Sequence, residues 1–146
     1  MSEKGEKAFA LFHQGYNCCQ SVVGAYCEDF GMDFDSVMRM TSSLGAGMGR
    51  LRLVCGAVSG MFLVAGWKYG SADPKDGKAK AEHYARIQAL AKAFEQQNGS
   101  IICAELLGLP GRSEPTPEAR TAQYYKKRPC AEIVRFAADL LESQGF

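Results

Sequence analysis

Residues 45–67, GAGMGRLRLVCGAVSGMFLVAGW, decide how this chain is read. From Leu53 to Trp67 no residue is charged, and a helix that is apolar all round belongs inside a protein. The stretch predicts a buried central helix over about residues 50–68. A membrane span needs about 20 apolar residues; this run has 15 and is closed off by Arg50, Arg52 and Lys68, so no span is expected. Gly56 and Gly60 stand four apart and share a helix face, which leaves no side chain to hold a neighbouring backbone away. Cys55 lies beside that bare strip, where other parts of the chain converge.

Outward from this stretch, the remaining segments also repeat at helical spacing. Val, Ile and Thr together number 14, and no segment alternates apolar and polar residues as a half-buried strand does. The expected fold is all-α. A chain of 146 residues is long enough to bury a core and is read as one helical domain, 1–146. Seventeen basic and sixteen acidic residues give a net charge of +1, which provides no broad basic field for nucleic acid. The N-terminal MSEKGEKAF has no apolar core of a secretory signal, so the cytoplasm is the default location. In that reducing compartment six cysteines point to metal ligation, redox chemistry or packing rather than to structural disulfides.

Taken in order, the first helix is expected over residues 2–13, capped by Ser2 and stopped by Gly15. Asn17 caps the second, whose inward stripe is Cys19, Val22, Val23, Tyr26, Cys27 and Phe30, with Gly31 at its end. Asp33 or Asp35 starts a third through Val37, Met38, Thr41 and Leu44. After the central helix, Asp73 with Pro74 opens a long amphipathic helix with Tyr84, Ile87, Ala91 and Phe94 inward and Glu82 paired with Arg86 outward, until NGS at 98–100. Ser100 caps a short helix, LPGRSEPTPE is a loop, and Thr116 with Pro117 starts a short polar helix. Pro129 starts the last helix, with Ile133, Val134, Ala137, Leu140 and Leu141 buried.

This layout sets Cys18, Cys103 and Cys130 on first turns, where the positive end of the helix dipole and free N–H groups favour a thiolate. Cys130 has the strongest case, because Lys126, Lys127 and Arg128 precede it. Cys19 and Cys27 continue an apolar stripe and read as packing. GAGMG has neither a preceding strand nor a following Lys-Ser/Thr pair and reads as a tight turn rather than a phosphate loop. His13 and His83 are too few for a histidine metal site and read as solvated, no CxxCH attaches a haem, and Trp67 reads as core.

Asn17-Cys18, the CGAVSG of residues 55–60 and single cysteines at 103 and 130 resemble a family of small redox-active proteins named after their Cys, GCAxxG, Cys, Cys signature. The resemblance spans residues 18–130 and implies that Cys18, Cys55, Cys103 and Cys130 act as one redox or metal-binding set. Three functions follow as expectations. The first is a thiol–disulfide oxidoreductase-like protein in which Cys130 or Cys18 attacks a disulfide or oxidant, its counterpart being a redox partner protein or a small thiol or oxidant. The second is a zinc or iron–sulfur protein held by the same four thiolates, although their intervals contain none of the short ligand pairs usual in zinc sites. The third is a scaffold, in monomeric or homo-oligomeric form, presenting residues 45–49 or 110–128 to a partner. The first two require convergence: Cys55 within disulfide or shared-ligand reach of Cys18, Cys103 or Cys130, about 4.4–6.8 Å between Cα atoms for a bridge, with Cys19 and Cys27 apart.

Overall fold

The computed structural model describes residues 2–146. It is all-α: helices α1 (Glu3–His13), α2 (Cys18–Tyr26), α3 (Phe34–Thr41), α4 (Gly56–Tyr69), α5 (Gly77–Asn98), α6 (Cys103–Leu107), α7 (Ala122–Lys127) and α8 (Cys130–Ser143) follow in order. Local chemistry sets most helix starts. Ser2 accepts from the amide of Gly5, Asn17 forms a reciprocal capping box with Gln20, and Asp33 accepts from the amide of Ser36. Among the described residues no helix is long and apolar enough to cross a membrane.

Two helices share the centre. α2 packs against α1, α3, α4 and α8, and every residue from Ser21 to Cys27 is buried. α4 lies on it through the bare strip: a Cβ at Gly56 would stand 2.9 Å from Cys18 Cβ and 3.0 Å from the Cys19 amide, and one at Gly60 would stand 2.9 Å from Val22 Cβ. The tyrosine of this core is satisfied, since the Tyr26 hydroxyl donates to the Ala138 carbonyl at 3.1 Å.

Several expected positions shift. The central helix begins at Gly56 rather than near residue 50, because Val54 is drawn into an antiparallel bridge with Ile102. It is also not enclosed on all sides: Leu63 and Trp67 are 43% and 58% exposed, and Trp67, beside Phe30 with ring centroids 6.2 Å apart, is not core. The long helix starts at Asp76, which accepts from the Ala79 amide, while Asp73 only closes a turn with Lys75. On it Tyr84 is exposed and Leu90 joins Phe94 as the buried pair. Arg86 turns from Glu82 to His83 and to the ring of Tyr69. The short polar helix is capped by Thr121, not Thr116.

The largest departure is the glycine-rich approach. Residues 46–50 all have positive φ, from 57° at Ala46 to 69° at Met48, and the Gly49 amide bonds the Gly45 carbonyl at 2.9 Å. The segment is one turn of left-handed helix, a conformation that costs an L-residue about 1–2 kcal/mol. Glycines at 47 and 49 relieve two of its positions. Gly47 has no alternative, since a Cβ there would stand 2.6 Å from both the Arg52 Cα and the Cys103 Cβ. Gly45 and Gly47 are buried, and only Gly49 of residues 45–49 is exposed.

Gly60→Ala should lower stability by about 1–3 kcal/mol through the overpacked α2–α4 contact, read as a lower denaturant midpoint with unchanged slope. Gly66→Ala, whose Cβ meets nothing within 4 Å, is the control and should not fall.

Candidate functional site

The four signature cysteines occupy equivalent places on four helices. Cys18, Cys103 and Cys130 are the first residues of α2, α6 and α8, and Cys55 is the residue that precedes α4. Each sulfur therefore stands where amides point out of a helix unsatisfied by its own turn. The structure brings all four onto one cavity of about 490 Å³. Cys19 and Cys27 do not line it; they are 0% and 2% exposed within the core.

Two long-range devices gather these helix starts. The α2–α4 contact sets Cys18 against Gly56, one residue from Cys55. The bridge between Val54 and Ile102 does the same for Cys103: its amide donates to the Leu53 carbonyl at 2.6 Å, and the Cys55 amide donates to the Ile101 carbonyl at 2.8 Å. Alternation along paired extended segments places residues 53, 55, 101 and 103 on one face. The left-handed turn packs Gly47 onto Cys103 from the other side.

The sulfurs differ sharply in acidity. Side-chain hydrogen bonding with Cys18 is the main influence that lowers Cys130 below the ordinary thiol range; burial opposes it, and the guanidiniums of Arg128, Arg120 and Arg52 reinforce it. The same bond holds the proton on Cys18, which burial and the neighbouring sulfurs push further up. Burial also raises Cys55 to about 12, although the amides of Ala57 and Val58 favour its thiolate. Cys19 is raised to about 12 by burial. Cys130 is thus favoured as thiolate while Cys18 beside it is held protonated.

The arginines were mostly illegible in the sequence. Of the KKR run only Arg128 turns toward the cavity, while Lys126 and Lys127 are exposed. Arg52, 5% exposed, donates to Ser113 Oγ at 3.0 Å and to Cys103 Sγ at 3.6 Å. Arg120 donates to the carbonyls of Phe12 and Tyr16 and lies 4.2 Å over the Phe12 ring. No local pattern marks either residue, because their partners come from distant segments.

The zinc or iron–sulfur arrangement does not fit these side chains as placed. Among the described residues no group of three or more His, Cys, Asp or Glu side chains stands close enough to hold a metal ion. All six cysteines are free thiols.

A helical fold that turns four cysteine-bearing helix starts into one cavity defines a thiol-cluster protein. The chain belongs to the family described as "Putative redox-active protein (C_GCAxxG_C_C)", whose model matches residues 16–144. No curated protein and no solved structure matches it.

Alkylation of the native protein across pH should modify Cys130 first, at a pH below the ordinary thiol range near 8.5, and leave Cys55 and Cys19 unmodified until pH approaches about 12. Peptide mapping reads the order. For Cys19 the folded-state value is raised, so the stability it contributes is complete below pH 9 and is lost as pH rises toward about 12. The denaturant midpoint should fall over that window, and Cys19→Ala should make the fall shallower.

Proposed function

We propose that the chain is a thiol–disulfide exchange protein in which Cys130 attacks and Cys18 resolves. The observation that carries this reading is the asymmetric pair itself: Cys130 is favoured as thiolate by Cys18 and three guanidiniums, and Cys18 keeps its proton beside it. The thiolate is the attacking species in exchange, and a second sulfur in contact releases the mixed product.

The Cys130 thiolate attacks one sulfur of a disulfide RSSR, forming Cys130–S–S–R and expelling RS⁻. Cys18 then gives up its proton and attacks the Cys130 sulfur, forming the Cys18–Cys130 bridge and expelling the second RS⁻. Protonation of both leaving groups completes the balance, with two protein thiols oxidised and one disulfide reduced to two thiols. The guanidiniums also face the charge that develops on the leaving sulfur. Cys55 and Cys103 border the reacting pair on the same cavity, and Cys55, held protonated, is not the first nucleophile. The counterpart is a disulfide of a small molecule or of a partner protein, and a reducing compartment such as the cytoplasm suits a resting dithiol.

Treating the reduced protein with hydroxyethyl disulfide and mapping the product by mass spectrometry tests this. The expected product is a Cys18–Cys130 bridge. Cys18→Ser should stop at a mixed disulfide on Cys130, and Cys130→Ser should react at least an order of magnitude more slowly. Wild-type rates in Cys130→Ser, or a bridge that leaves out Cys130, overturn the assignment.

A further inference from the structure

The cavity carries more positive charge than its thiolate requires. Arg50, Arg52, Arg120 and Arg128 line it, and the one carboxylate on its wall, Glu118, is spent on Arg128 at 3.4 Å. The other three have no ion pair among the described residues. Arg50 donates to the Glu114 carbonyl at 2.6 Å, Arg120 to two carbonyls, and Arg52 to a hydroxyl and a sulfur. These are neutral partners apart from a sulfur. Burying a cation without a counter-charge is costly, and Arg52 is 95% removed from solvent with none, since its exposure is 5%. A Cys130 thiolate balances one guanidinium of the three.

Phe12, Leu106, Leu107 and Pro115 form apolar walls, and the polar side chains Asn17, Gln20, Ser42 and Tyr124 in the lining carry no charge. A volume of about 490 Å³ falls within the ~300–1,000 Å³ of small-molecule sites. Guanidinium forks match carboxylates in pairs of hydrogen bonds. We infer that the substrate is a low-molecular-weight disulfide bearing carboxylates, of the size of a short acidic peptide, whose anionic groups are seated by Arg50, Arg52 and Arg120 while its sulfur meets Cys130. This rests on the exchange reading for its chemistry but not for its charge preference. The reaction is the balanced exchange given above, with R carrying the carboxylates.

The test compares three disulfides at equal concentration and low ionic strength: oxidised glutathione (anionic), hydroxyethyl disulfide (neutral) and cystamine (cationic). After correction for their uncatalysed rates with a free thiol, oxidised glutathione should oxidise the protein about tenfold or more faster than the neutral compound, with cystamine slowest. The advantage should shrink severalfold as the Debye length falls from about 30 Å to about 3 Å between 0.01 M and 1 M salt, a measurement that needs no variant. Arg52→Met and Arg120→Met should each reduce it as well. Equal rates for the anionic and neutral compounds, or faster oxidation by cystamine, overturn the inference and leave the exchange reading standing. If no disulfide oxidises the protein, the exchange reading falls, and calorimetry with S-methylglutathione, which cannot exchange, decides the site. Salt-sensitive binding upholds it, and no binding overturns it.

Discussion

The approach of α4 to α2 across Gly56 and Gly60 is the constraint on which the rest of the molecule depends. With a Cβ missing at both positions, the start of α4 comes within van der Waals contact of the start of α2. Two helix N-termini that would otherwise be separated by a layer of side chains are thereby set side by side, with Cys18 on one and Cys55 before the other. Core packing density tolerates little adjustment at such a contact, so sulfur positions are inherited from a packing decision made at two glycines.

A second constraint works from the opposite wall. The left-handed turn at residues 46–50 is a conformation L-residues avoid, and it is held by what surrounds it: Gly47 against Cys103 and the bridge of Val54 with Ile102. Strain of this kind persists only where neighbouring structure over-determines it, and it gathers at sites with a task. Its effect is to deliver Arg50 and Arg52 to the cavity and to hold α6 by its first residue.

The electrostatics follow from that geometry. Four sulfurs enclosed together cannot all ionise, because each thiolate raises the others. Hydrogen bonding with Cys18 breaks the symmetry in favour of Cys130, the arginines reinforce it, and Cys18 is left as the protonated complement. A buried cluster of equivalent thiols thus becomes an ordered pair.

Much of this was legible in the sequence wherever the deciding interaction is local. Asn17 with Gln20, and Asp33 with Ser36, fix helix starts over a span of three residues, so the first-turn places of Cys18 and Cys130 and the all-α fold could be read directly. The bare face of Gly56 and Gly60 was equally readable, because helical period alone defines it. The exposure of Trp67, the capping by Asp76 and Thr121, and the loss of helix before Gly56 were not, since each depends on what lies opposite. Arg52 and Arg120 reached the site through contacts 61 and 104–108 residues away in the chain, and the left-handed turn at residues 46–50 packs through Gly47 on Cys103, more than fifty residues away. Local hydrogen bonding and periodicity are written in neighbouring residues and named the cysteines; which of them ionises was left to the tertiary structure, because charge acts through space and not along the chain.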